Sequence, residues 1–190
     1  MRGFSHRDTR SGSASAVFVI VVCVLGILGF FVFERGNALA KGGCRRYPPL
    51  ATATALESAV LYIYTEYGRM PDFGSRVTTD SPQGVKLLTV LLGMEGKSTT
   101  KQNPRDIKFL SVKEGKNHKN GLIYNTAATS VEGLYDPWGN PYTLVLDTDY
   151  DEKLQFTVGS RTVKLDGRRV AAFSPGSDGK LGTADDVMTW

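Results

Sequence analysis

An uncharged apolar segment near the N-terminus limits what this chain can fold into. Residues 14–33 read ASAVFVIVVCVLGILGFFVF and contain no charged side chain. An α-helix rises about 1.5 Å per residue, so roughly twenty residues span the ~30 Å hydrocarbon layer of a bilayer. We therefore expect residues 1–35 to form a short polar tail and a transmembrane helix.

The flanking sequence leaves the orientation and the processing of this segment open. Basic residues are balanced on its two sides, so the positive-inside rule does not decide the orientation. The small residues 38–40 (ALA) are typical of a signal cleavage site, and cleavage there would release a soluble domain that begins at Lys41. The apolar run is longer than the roughly 7–15 residues of a usual signal core. A retained membrane anchor is therefore the preferred interpretation.

The rest of the composition is that of an ordinary folded domain. The chain has 190 residues, 41% of them hydrophobic, and a net charge of +4, which suits a protein near an anionic membrane surface. The lysine-rich residues 95–120 are interpreted as a solvated loop with one short strand at 107–112. Nucleic-acid binding is not expected, because Phe109 is the only aromatic side chain among these lysines. The two cysteines, Cys23 and Cys44, have neither disulfide nor metal-site spacing.

Two helices are predicted after a linker. Glycines and a Pro-Pro pair interrupt residues 36–49, which we assign as the linker. Apolar residues recur at helical spacing from 50 to 67 and the pattern stops at Gly68, which predicts an amphipathic helix. A second, shorter helix is predicted within residues 81–95. The apolar positions are Leu56, Ala59, Val60, Ile63 and Tyr67 in the first helix, and Val85, Leu88, Leu91 and Leu92 in the second.

Beyond Asp136 the pattern changes to the two-residue period of β-strands. The segments PYTLVLD and KLQFTV alternate, and TVKLDGRRVAAF contains Asp166-Gly167, a two-residue hairpin signal. These segments predict an antiparallel sheet of about three or four strands. The expected fold is therefore α+β, with an amphipathic helix packed on a small C-terminal antiparallel meander, in one domain over residues 50–190.

No group of side chains indicates catalysis. The two histidines, His6 and His118, lie in polar segments, and no cysteine or serine has a base nearby. Ser174 lacks the G-x-S-x-G context of a nucleophile elbow. We therefore expect that the protein is not an enzyme.

One acidic segment has the spacing of a calcium loop without its other features. In LDTDYDEK, Asp147, Asp149 and Asp151 alternate as in an EF-hand. The sixth position has no glycine, and the twelfth, Val158, has no ligand atom in its side chain. We interpret this segment as a polar connection between two strands.

A second acidic segment, SPGSDGKLGTADDV at residues 174–187, is glycine-rich and nearly free of apolar side chains. Asp178 lies seven residues before Asp185 and eight before Asp186. Calcium takes about six to eight oxygen ligands, and glycines allow the backbone to turn carbonyl groups inward. Converging carboxylates repel one another unless a cation lies between them. The spacing alone leaves two alternatives, a Ca²⁺ site and a solvated acidic tail.

Two motifs together resemble a known family. DPWGNPY at 136–142 and FSPGSDGKLGTADDV at 173–187 resemble the C-terminal half of the major pseudopilins of type II secretion, general secretory pathway protein G. The segment ALESAVLYIYTEYGRMP at 55–71 is similar to the helix and turn of the same family. The resemblance covers both ends of the domain and implies a pilin-like fold.

The resemblance also implies a role. Members of this family are structural subunits that polymerise through the N-terminal helix and support protein secretion. It implies a single-pass protein of the bacterial inner membrane, held by residues 14–33, with its globular domain on the periplasmic side and other pseudopilins or secretion-apparatus subunits as partners. It further implies a structural Ca²⁺ ion bound by the side chains of Asp178, Asp185 and Asp186 and by backbone carbonyls near Pro175, Ser177 and Thr183.

The N-terminus differs from that of the family, and this defines a second hypothesis. Family precursors have a Gly-Phe cleavage site followed by an apolar helix with an early glutamate. Here Gly3-Phe4 precedes polar residues, and no glutamate occurs before Glu34. The alternative is a membrane-anchored or secreted Ca²⁺-binding module that keeps the pseudopilin head and does not polymerise. In the first hypothesis, the structural subunit, Pro137, Trp138 and Gly139 form the turn that opens the sheet, with Trp138 packed over the core.

Overall fold

Two helices and eight strands form the part of the chain that the computed structural model describes, residues 48–97 and 99–190. These residues belong to one unit, Arg46–Trp190. Among them, no helix is both long enough and apolar enough to cross a membrane. The predicted membrane segment, residues 14–33, lies outside the described residues, as does most of the predicted linker.

Helix α1 is described over residues 48–67. Its inward positions recur every three or four residues, and Leu56, Ala59, Val60 and Ile63 are at most 1% exposed. The helix ends at Gly68, whose φ of 68° lies in the left-handed region. The predicted helix is confirmed. It includes the Pro-Pro pair at 48–49 that the linker assignment covered, so that part of the linker assignment is wrong.

Helix α2 spans Pro82–Leu91 and confirms the second predicted helix. Ser81 precedes it as the N-cap and accepts a hydrogen bond from the N–H of Gly84 at 3.0 Å. Gly84 lies against the preceding strand so closely that a Cβ atom there would be 1.9 Å from the carbonyl oxygen of Thr78. Glycine at this position therefore allows the helix to pack on the sheet.

The strands form one four-stranded sheet and two hairpins. In chain order they are β1 Arg76–Thr78, β2 Gly121–Tyr124, β3 Val131–Tyr135, β4 Thr143–Leu146, β5 Lys153–Val158, β6 Arg161–Asp166, β7 Val170–Ser174 and β8 Val187–Met188. The main sheet has the order β1-β4-β7-β8, with all neighbours antiparallel, while β2 pairs with β3 and β5 with β6. The α+β class with antiparallel sheets is thus confirmed.

The predicted connection at Asp166-Gly167 is wrong. This dipeptide does not join two paired strands, since β6 pairs with β5 and the next strand, β7, pairs with β4 and β8. The β5–β6 hairpin turns instead at Gly159 and Ser160. All five residues of β7 are buried, which is typical of a central strand. β7 is therefore buried between β4 and β8 and does not form a hairpin with β6.

Side chains on the two faces of the main sheet enter two different cores. Leu144, Leu146 and Ala172 face the core that contains both helices. Val145 and Phe173, in alternate register positions, face the second core, which is covered by the β5–β6 hairpin. There Phe156, Phe173 and Trp190 pack as an aromatic cluster with ring centroids 5.3–5.8 Å apart.

The apolar residues 107–112 are not a strand, contrary to the expectation from sequence. Leu110 is fully buried, and the N–H groups of Phe109 and Leu110 donate to the carbonyl oxygen of Leu91 at 2.9 and 3.0 Å. These bonds satisfy a carbonyl at the C-terminal end of α2. The apolar segment therefore covers the end of a helix rather than joining a sheet.

Candidate cation site

The turn before β4 is built around one buried carboxylate. Asp136 is 0% exposed. Its Oδ1 atom accepts hydrogen bonds from the N–H groups of Trp138, Gly139 and Asn140 at 2.8–2.9 Å. Pro137 fixes φ of the first turn residue, and Gly139 adopts a φ of 103°. The DPWGN segment thus closes around the aspartate in an Asx-type turn.

The same carboxylate joins this turn to β7. Ser174 Oγ donates to Asp136 Oδ2 at 2.5 Å, and Ser174 is fully buried. Asn140 Nδ2 donates to the carbonyl oxygen of Gly176 at 2.6 Å. The DPWGN turn therefore holds the first residues of the acidic C-terminal loop. The two motifs that carry the family resemblance, 38 residues apart along the chain at Asp136 and Ser174, are in direct contact.

The expected turn at residues 137–139 is present, but the expected position of Trp138 is wrong. Trp138 is half-buried, and neither of the two hydrophobic cores formed by the described residues includes it. The three N–H bonds to Asp136 set the direction of the turn. The carboxylate therefore organises the turn.

Asp185 is the centre of the acidic loop. Its Oδ2 atom accepts from Ser177 Oγ at 2.7 Å and from the N–H of Asp178 at 3.0 Å, and its Oδ1 atom accepts from Thr183 Oγ1 at 2.6 Å. The hydrogen bond from Thr183, followed by that from Ser177, lowers the pKa of Asp185 below its ordinary value. The loop thus favours a negative charge at this carboxylate.

The other two predicted ligands lie in the same loop with different partners. Asp178 is exposed, and its Oδ1 atom accepts from the N–H of Lys180 at 2.8 Å. Asp186 is 6% exposed, and its Oδ2 atom accepts from the N–H of Gly182 at 2.7 Å. Among the described residues, the carboxylates of Asp178, Asp185 and Asp186 are not brought within 4.8 Å of one another as a group of three.

The chemistry of the loop fits a hard cation. The groups around Asp185 are carboxylates, hydroxyls and backbone groups, so every ligand atom that they offer is oxygen, as calcium prefers. Gly176 lies against Asp185, because a Cβ atom at Gly176 would be 2.2 Å from the Asp185 carbonyl oxygen. The start and the end of the loop are therefore in contact. Of the residues expected to supply only backbone carbonyls, Ser177 and Thr183 also direct their hydroxyls to Asp185, while Pro175 precedes the 3₁₀ turn Gly176–Asp178.

The group of acidic side chains that does converge is Asp147, Asp149 and Asp151. One oxygen atom from each lies within 4.8 Å of the others, and this group could hold a metal ion. Asp147 is buried, accepts from the N–H groups of Asp151 and Glu152 at 3.2 and 3.1 Å, and lies 3.7 Å from the guanidinium of Arg169. The segment is a polar connection between β4 and β5, as interpreted, and its alternating aspartates were the visible signal of this cluster.

Comparisons with family models, with curated proteins and with solved structures find no match to this chain. The resemblance to the major pseudopilins therefore stays a prediction from two motifs. What the fold adds is the contact between those motifs through Asp136 and Asn140. That contact is the basis on which a function can be proposed.

Proposed function

We propose that this protein is a structural, pseudopilin-like subunit of a type II secretion apparatus or of a related type IV pilus apparatus. Residues 14–33 anchor it in the inner membrane, and the α+β head faces the periplasm. The single observation that carries this proposal is the joining of the DPWGN turn to the acidic loop, by Ser174 to Asp136 at 2.5 Å and by Asn140 to Gly176 at 2.6 Å. Two motifs of one family are expected to be in contact if they serve one structural site.

In this proposal the acidic loop binds Ca²⁺. The side chains of Asp178, Asp185 and Asp186 and the backbone of Pro175, Ser177 and Thr183 hold the ion, which supplies the positive charge that three carboxylates need. The DPWGN turn holds the beginning of the loop, and the ion stabilises the remainder. Sites of this moderate kind are occupied where calcium is plentiful, which favours a location outside the cytosol.

Isothermal titration of the full chain in detergent micelles with CaCl₂ tests the cation site. We expect one ion per chain in the wild type and loss of that binding in Asp178→Asn and Asp185→Asn. The matched control is Asp149→Asn, which removes a carboxylate from the other acidic cluster. Loss of the ion in Asp149→Asn, with binding intact in Asp185→Asn, would assign the ion to residues 147–151 and contradict the proposal.

A non-polymerising Ca²⁺-binding module is the second candidate. The absence of any glutamate before Glu34 and the glycines of the linker favour it. Cross-linking of the full chain in cells separates the two functions. A subunit that assembles with itself or with other pseudopilins gives a ladder of cross-linked species, whereas a solitary module gives the monomer band alone.

We propose no catalytic role for the described residues. His118 is exposed and lies 3.8 Å from Glu132, with its ring 5.3 Å from that of Tyr135. Ser174 is fully buried and donates its hydroxyl hydrogen bond to Asp136. A hydroxyl in this position is not accessible to a substrate, which agrees with a structural function for this region.

A further inference from the structure

A groove lies between the outer edges of β1 and β5. Its volume is ≈ 650 Å³, and its lining includes Ser75 and Arg76 from the β1 side, residues 154–157 of β5, and Asp149 and Asp151 from the loop between β4 and β5. We propose that this groove binds an extended peptide of another protein, which pairs through its backbone with both strand edges.

The edge of β5 presents backbone groups to the groove. The carbonyl oxygen of Thr157 accepts from the guanidinium of Arg76 at 3.0 Å, and the N–H of Lys153 donates to the carboxylate of Asp151 at 2.8 Å. Both groups therefore point away from β6. Alternate residues of an antiparallel strand point to the same side, so the N–H and C=O of Gln155 also face the groove. In the described part of the chain, no turn, cap or side-chain hydrogen bond uses them.

The edge of β1 presents the matching groups. The carbonyl oxygen of Ser75 accepts from the N–H of Leu146, and the N–H of Thr79 donates to the carbonyl oxygen of Tyr142, both at 2.9 Å. Residues 75, 77 and 79 therefore face β4, and the backbone of Arg76 points away from the sheet. An extended segment in the groove can bond to the free backbone groups of Gln155 on one side and of Arg76 on the other, and so connect the main sheet to the β5–β6 hairpin.

Charge at the ends of the groove selects the composition of the peptide, which in this proposal runs antiparallel to β5. Asp149 and Asp151 are exposed at the end where β5 begins, where they outnumber the ammonium group of Lys153. Arg76 lies at the other end, beside Thr157. A peptide antiparallel to β5 has its C-terminal end at the aspartates. The occupant is therefore an extended, β-prone segment with lysine or arginine at its C-terminal end.

Peptide binding to the full chain in detergent micelles tests this proposal. The probe is the fluorescently labelled peptide Thr-Val-Thr-Val-Thr-Lys-Lys with blocked ends, and its anisotropy gives the Kd. We expect saturable binding that Gln155→Pro weakens at least about tenfold, because proline removes the groove-facing N–H and places its ring in the path of the peptide. The matched control is Lys164→Pro, since Lys164 is the cross-strand partner of Gln155 and its N–H points to the opposite edge of the hairpin. The Kd of the peptide for Lys164→Pro should stay within about twofold of its Kd for the wild type.

A second peptide, with both lysines replaced by glutamate, should bind at least about fivefold more weakly. Equal losses in the two proline variants, equal Kd values for the two peptides, or no saturable binding overturn the proposal. Self-association of the chain that Gln155→Pro abolishes and the lysine peptide does not inhibit would assign the groove to a second copy, and also overturn it. If thermal melting shows that Gln155→Pro is unfolded, N-methylation of the peptide at its central valine provides the same test, and undiminished binding contradicts backbone pairing.

Discussion

Replacement of Asp136 by alanine should destabilise the domain strongly. The carboxylate accepts three N–H groups of its own turn, the Asn140 side chain at 3.2 Å and the Ser174 hydroxyl at 2.5 Å. Loss of a carboxylate that holds a turn in this way costs about 0.5–2 kcal/mol, by analogy with helix N-caps. A buried hydroxyl left without a partner costs about 1–3 kcal/mol more, and Ser174 is 0% exposed. We expect Asp136→Ala to lower the free energy of unfolding by about 1.5–5 kcal/mol.

Urea unfolding of the wild type, Asp136→Ala, Ser174→Ala and the double variant measures this effect. Ser174→Ala alone should cost less, about 1–2 kcal/mol, because Asp136 keeps its four N–H donors. The double variant should show a coupling energy of about 1–3 kcal/mol, since the hydroxyl is stranded only when the carboxylate alone is removed. A cost below about 1 kcal/mol for Asp136→Ala, or additivity within about 0.5 kcal/mol, would refute the role of Asp136 as the link between turn and loop.

Three further predictions concern the loop and the core. Gly176→Ala should lower the melting temperature more than Gly167→Ala. Both glycines have φ near 70°, but only at Gly176 would a Cβ atom meet the Asp185 backbone, at 2.2 Å. Equal shifts in melting temperature for the two variants would contradict the close contact. Since the pKa of Asp185 is lowered in the folded protein, its stabilising effect is complete above the ordinary carboxyl pKa of about 3.9 and is lost as the pH falls through the folded value. The difference in free energy of unfolding between the wild type and Asp185→Asn should therefore become smaller as the pH is lowered. A difference that grows at low pH would contradict this prediction. Leu56→Ala, at a fully buried site, should cost about 2–5 kcal/mol in urea unfolding, whereas Leu50→Ala, at a position 38% exposed, should cost well under half as much.

Local patterns predicted the helices well because each helix shows its pattern within one segment. The spacing of Leu56, Val60 and Ile63 reports one buried face directly, and all three are buried. The second helix was similarly predicted within residues 81–95, and α2 spans Pro82–Leu91. These elements depend on side chains a few residues apart, which is the range over which a sequence is most informative.

The order of the strands depends on contacts far apart in the chain and was not predictable in the same way. Asp166-Gly167 has the composition of a hairpin turn, but its neighbour β7 pairs with β4 and β8. The main sheet also includes β1, Arg76–Thr78, which lies between the two helices along the chain. This strand is too short to show the two-residue alternation of a β-strand. Which strand becomes central depends on the burial of both its faces, and that is a property of the whole domain.

The candidate site was predictable in its residues and not in its connections. The acidic loop was recognisable from its aspartates and glycines, whereas the role of Asp136 was not predicted. The signal was present, since an aspartate before Pro-x-Gly is typical of an Asx turn. The contacts of Ser177 and Thr183 with Asp185 depend on loop geometry that spacing alone does not show.

Thermal melting of the full chain with calcium and with chelator tests the central claim most directly. The wild type should gain stability of about 2.7 kcal/mol at a hundredfold excess of Ca²⁺ over Kd, which corresponds to a rise of several degrees. Asp185→Ala should remove that rise, while Asp149→Ala should keep it. A wild-type melting temperature that is the same in millimolar calcium and in chelator would contradict a Ca²⁺-stabilised loop and, with it, the pseudopilin-like function.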